Sequence, residues 1–124
     1  MAKGERFEDL VVWRKGMTLV GDVYRVTRQG ELSKDFPLRD QLRRAAISIP
    51  ANIAEGYERS TRPQYLNFLQ IAKGSAGELR CLITLARDLE FMKQEEALSQ
   101  LKSVEELSRL LAHLIQSLQP PPVD

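Results

Sequence analysis

Apolar residues return every three or four positions along nearly the whole of this 124-residue chain, and prolines punctuate the pattern at only a few places. That spacing gathers apolar side chains on one face of a helix, while strand-like alternation is hard to find. The chain is therefore predicted to be all-α.

Four helical segments follow. The first runs from about Glu8 to Arg28, with Leu10, Trp13, Met17, Val20 and Tyr24 as its predicted core face. Gly30 supplies a left-handed residue to close it. Pro37 suits the first turn of a second helix, with Ser33 or Asp35 as its cap. Leu38, Leu42, Ala45, Ile49, Ile53 and Gly56 form its apolar stripe. Pro50 falls inside that stripe, which predicts a kink near Ala46 to Pro50.

Ser60 or Thr61 caps a third helix, with Pro63 in its first turn and Leu89 near its end. Its middle, Lys73-Gly-Ser-Ala-Gly77, is thin enough for another helix to come close. A fourth helix spans about Gln94 to Leu118, with Leu98, Leu101, Val104, Leu107, Leu111, Leu114, Ile115 and Leu118 as apolar positions. Pro120-Pro-Pro122 stops it. Short connections between long helices predict an up-down-up-down antiparallel four-helix bundle with a proline-kinked second helix. It occupies residues 1–118 as one domain, and residues 119–124 form a disordered Pro-rich tail.

Composition narrows the chemistry. The net charge is +1, too small by itself to announce a nucleic-acid binder. Cys81 is the lone cysteine and His113 the lone histidine. That excludes an internal disulfide and the usual zinc sites, and Cys81 is expected to pack as a small buried hydrophobe. His113 has no acidic or thiol partner at helical spacing, so no catalytic site, cofactor or small-molecule substrate is expected. Neither an apolar leader nor a membrane-length apolar run is found, and a cytoplasmic location is expected. Tyr57, Tyr65 and Phe68 cluster near one another and are read as core, with stacking on a base as the alternative.

The second helix carries the features a plain core helix does not need. Gln41, Arg44, Ser48, Asn52, Glu55 and Arg59 recur at steps of three or four and form one polar stripe. Bonds of Arg44 with Ser48, and of Asn52 or Glu55 with Arg59, would make Ser48, Asn52 and Glu55 a structural polar seam; plain solvation is the other reading. Arg39, Arg43 and Arg44 open the helix, and Arg59 and Arg62 lie beyond its far end. Arginine suits phosphate because its planar fork donates in pairs. These five are the candidate nucleic-acid contacts.

The runs Phe7-x-x-Leu10-x-x-Trp13, Gln41-Leu-Arg-Arg-Ala-Ala-x-Ser48-Ile-Pro-Ala-Asn52-Ile-Ala-Glu55-Gly56 and Phe68-Leu69-x-Ile-Ala72-x-Gly-Ser75, with Arg59, Glu78 and Leu79, resemble one family. It is the bacterial four-helix-bundle family encoded in intervening sequences of large-subunit rRNA genes, and the likeness covers about residues 7–118. The family is similar in fold to the accessory variability proteins of diversity-generating retroelements. The resemblance implies a homopentamer, and through those proteins it implies RNA or a reverse transcriptase as partner. The expected function is a non-enzymatic oligomeric scaffold that binds RNA or a nucleoprotein through the second-helix arginines. The alternative is a protein–protein interaction module with no nucleic-acid role.

Overall fold

The computed structural model describes residues 6–120. Of the expected tail, residues 121–124 lie outside them. Four helices follow in order: α1 (Val11–Thr27), α2 (Phe36–Glu58), α3 (Arg62–Asp88) and α4 (Gln94–Leu118), with short 3-10 turns at Phe7–Asp9 and Gly30–Ser33. Among the described residues there is no strand.

Local chemistry sets the boundaries. The Asp35 carboxylate accepts the Leu38 N–H at 3.1 Å, and Pro37 sits in the first turn, where a missing N–H costs nothing. Thr61 caps α3 in the same way, its hydroxyl accepting the Gln64 N–H at 3.3 Å, with Pro63 just inside. Glu95 and Glu96 occupy the first turn of α4, where the helix dipole favours negative charge. Gly30 does adopt a left-handed φ of 55°. However, it opens the following 3-10 turn, and α1 closes earlier, through Gln29 N–H to Val26 O.

The α3–α4 corner is a Schellman motif that the sequence conceals. Phe91 N–H bonds Ala86 O and Glu90 N–H bonds Arg87 O, both at 2.9 Å. Glu90 therefore holds the left-handed position usually given to glycine, at φ 63°.

Contacts along each pair of neighbours show the antiparallel ring. Gly16 lies against Pro50 while Thr27 meets Arg43, so α2 descends as α1 rises. Ser48 meets Ser75 and Gly56 meets Phe68 across α2 and α3. Arg80 faces Glu105 across α3 and α4. Lys15 and Arg25 of α1 pair with Glu106 and Glu96 of α4, which closes the ring. The architecture is the expected four-helix bundle.

Its core is fully buried along Leu42, Ile49, Ile53, Leu69, Leu79, Ile83, Leu107 and Leu111. Thr27, Ser75 and Gln100 are the polar residues buried among the described residues, and Gln100 has an atom left without a partner. Gln100 donates through Nε2 to Asp22 O at 3.2 Å, while its Oε1 is buried without a partner among the described residues.

Several expectations are corrected. Helix α1 buries Val12, Gly16, Leu19, Val23 and Val26, not the stripe through Trp13, Met17, Val20 and Tyr24. That stripe lies one residue, about 100°, around the helix. Gly16 lies on the buried face, where a Cβ would stand 3.4 Å from Pro50, at the edge of ordinary contact, and Leu19 and Val23 beside it are almost wholly buried. Pro50 sits inside α2, which is helical from Phe36 to Glu58 on both sides of the predicted kink.

On α3, Gly74 and Gly77 border open space, and Ser75 and Ala76 are the residues that enter the core. The expected close approach is made at Ser75, whose hydroxyl lies 2.7 Å from that of Ser48, and a second is made at Gly56 of α2. Cys81 is exposed, not buried. Leu89 and Leu98 are also about half exposed, at 50% and 52%; on α4 the inner face is held by Ala97, Gln100 and Val104 instead.

Candidate interaction surface

The polar stripe of α2 divides in two. Asn52 Nδ2 donates to Ser48 O at 2.7 Å and to Ser48 Oγ at 2.9 Å, and Ser48 Oγ lies 2.7 Å from Ser75 Oγ on α3. Each short side chain fills part of its neighbour's hydrogen-bonding capacity, so the chain of bonds fixes the register of α2 on α3. Glu55 takes no part in this seam. It is exposed and meets Arg59 at 3.4 Å, an ion pair in solvent contributing at most about 0.5 kcal/mol. The expected Arg44–Ser48 bond is absent among the described residues; Arg44 points outward and Ser48 toward α3.

The five candidate arginines are not one patch. Arg39 is engaged by Asp40 at 2.9 Å, Ser33 O at 3.1 Å and the Phe36 ring at 4.6 Å. Arg59 lies over the Phe68 ring at 4.9 Å besides its contact with Glu55. Arg62 is exposed at the start of α3. Arg44 and Arg59, fifteen residues apart, are separated by about 22 Å of helix. Only Arg43 and Arg44 adjoin each other on open surface.

Arg43 is held in place from behind. Its Nε donates at 2.9 Å to Oγ1 of Thr27, which is itself fully buried and bonds Val23 O at 2.7 Å. Its guanidinium lies 4.5 Å from the Tyr24 ring centre. The side chain is thus ordered before any ligand arrives, which lowers the entropy cost of a contact through its terminal nitrogens. Arg28 approaches the same ring at 5.8 Å and adds a cation that the sequence reading passed over. Tyr24, Asp40, Arg43, Arg44, Ile47 and Ser48 line a shallow hollow there. Tyr57 and Tyr65 stack edge to face at 5.7 Å in the buried α2–α3 seam, so they are core and offer no platform for bases.

A second hollow adjoins the first and is almost wholly apolar. Trp13, Met17 and Val20 of α1 face Ile47, Pro50, Ala51 and Ala54 of α2, and Phe7 packs edge-on to Trp13 at 5.3 Å. Met17 and Ile47 are 47% and 42% exposed. The residues first read as the α1 core are thus the wall of an open apolar surface. Ile47 belongs to both hollows.

Among the described residues no cluster of histidine, cysteine and carboxylates could hold a metal, and no helix is long and apolar enough to cross a membrane.

An antiparallel all-α bundle with an α2–α3 polar seam and open contact faces on α1 and α2 is the class that this fold defines. The chain belongs to the 23S rRNA-intervening sequence protein family, whose pattern it matches over residues 8–113. It is also similar to a crystal structure of a protein of unknown function from the S23 ribosomal protein family of Bacteroides thetaiotaomicron VPI-5482. The two share 27% identity and a TM-score of 0.79, over 86% of this chain and 99% of that one. No functionally curated protein matches the chain.

Proposed function

We propose that this protein is a non-enzymatic scaffold that assembles with copies of itself and binds RNA through Arg43 and Arg44. The observation that supports it is the apolar hollow of α1 and α2 beside the hollow that those two arginines line, the two sharing Ile47. Open apolar surface of this kind favours association. A closed ring repeats each cation once per subunit, so two arginines become an extended positive surface. The family resemblance supports five subunits and a cytoplasmic setting.

Light scattering on the purified protein is expected to give about 70 kDa for a pentamer, against 14.1 kDa for one chain. Met17→Glu with Ile47→Glu is expected to yield a helical monomer. RNA affinity should fall steeply with salt, because phosphate contacts release counterions. A monomeric wild type at micromolar concentration would remove the scaffold. RNA affinity unchanged by Arg43→Glu plus Arg44→Glu would remove the α2 contact.

A second reading, a protein-interaction module with no nucleic-acid role, is favoured by one specific fact. Residues 36–58 carry three arginines and three acidic residues, so α2 as a whole is neutral. A protein partner retained after nuclease treatment, together with no RNA affinity, would select it.

A further inference from the structure

Positive charge collects on another face of the bundle. Lys73 and Arg80 of α3 and Arg109 of α4 line an open groove whose other walls are Glu105, Ser108 and Ala112. Three cations against one carboxylate leave +2 in this groove, more than the net +1 of the entire chain. We propose that this α3–α4 groove is a docking surface for the phosphate backbone of single-stranded RNA. It rests on the RNA reading above but assigns contacts to a different face.

Three observations point to a strand of phosphates. Lys73 and Arg109 form no ion pair or hydrogen bond with any described residue, and Arg109 feels only the neighbouring Glu106 carboxylate, which Lys15 already holds. Arg80 meets Glu105 only at 3.6 Å with both side chains about half exposed, a contact that a phosphate readily outcompetes. The cations are also spread out. Lys73 and Arg80 stand seven residues apart, about 10.5 Å along the helix, with Arg109 on the opposite wall. A single small anion needs donors converging on one point, whereas a row of charges along a groove matches a repeating polyanion. The small Ser108 and Ala112 side chains keep the floor low, and Gly77, on the same side of α3, borders open space. Glu106, the next carboxylate on α4, is bound by Lys15 of α1 at 2.8 Å, and it interacts with Arg109 more weakly than with Lys15, so it offsets the groove only in part.

The test is a titration of a short single-stranded RNA into the full-length protein at several salt concentrations. Lys73→Gln with Arg109→Gln is expected to weaken binding at least about tenfold and to lower the salt slope by about 1.4, the value for two phosphate contacts on a single strand. Glu105→Gln is expected to strengthen binding several-fold, a gain that a damaged fold would not give. Circular dichroism checks that both variants remain helical. Loss of affinity with Arg43→Gln plus Arg44→Gln but not with the groove variants overturns the groove and leaves the RNA reading in place. Absence of wild-type binding at any salt overturns both. Equal affinity for a polyglutamate peptide overturns the assignment to phosphate.

Discussion

Replacing Gly56 with alanine tests a tight approach of α2 to α3. A Cβ on Gly56 would stand 2.6 Å from Phe68 Cβ, 3.2 Å from Tyr65 Cδ1 and 3.3 Å from Tyr65 O. Phe68 Cβ is fixed to its backbone and cannot swing aside, so α2 and α3 must separate by about 1 Å to restore ordinary contact. Overpacking of this kind costs about 1–3 kcal/mol, and a contact this short belongs near the upper end. Alanine returns about 1 kcal/mol through its better helix propensity. The expected net loss is about 2 kcal/mol. In urea unfolding at fixed protein concentration, that lowers the midpoint by about 1 M for a slope near 2 kcal/mol/M. Gly74→Ala is the matched control: the same chemical change into open space should raise stability by about 0.5–1 kcal/mol. A Gly56→Ala variant as stable as the wild type would refute the packing described for α2 and α3.

Further outcomes follow from the same structure. Glu90→Gly should stabilise the α3–α4 corner by about 0.5–1 kcal/mol, read by thermal unfolding, since glycine accepts the left-handed φ of 63° without a Cβ penalty; a lower melting temperature would count against the motif. Gln100→Leu should leave urea stability unchanged or raise it by about 1 kcal/mol, because it removes a buried oxygen that has no partner along with a single long hydrogen bond. Burial pushes the Tyr65 phenol up to about 12, with Tyr57 beside it adding to the rise. The neutral phenol is thus favoured in the folded state. Its contribution is fully present below the unfolded value near 10 and is lost as pH rises toward 12, a fall of order 2 kcal/mol. Tyr65→Phe should flatten that part of the alkaline unfolding curve, and an unchanged curve would show that the phenol titrates as if exposed.

The arginines show how far residue type and spacing carry a site. Their presence and their fork chemistry are legible in the sequence, yet their availability is not. Arg39 and Arg59 are engaged by neighbours one to six residues away and by aromatic rings, while the buried hydroxyl of Thr27 positions Arg43 from another helix. The groove cations Lys73, Arg80 and Arg109 attract no notice in a linear reading, because α3 and α4 bring them together only when they pack. The seam follows the same rule: Ser48 and Asn52 are a local pair, but Ser75, twenty-seven residues on, completes it.

By itself, the sequence determined that the chain is four helices and where three of them begin. Periodicity of 3.6, Asp35 and Thr61 as caps, and Pro37 and Pro63 in first turns act within a few residues of one another, so local chemistry is enough. Only the tertiary structure decided which face of α1 is core. Two adjacent apolar stripes have the same period, and periodicity carries no phase when both are apolar. The choice is made by packing against the other helices, which buries Val12, Leu19, Val23 and Val26 and sets Gly16 against Pro50 of α2. With that face turned inward, Trp13, Met17 and Val20 are left as the wall of an open hollow.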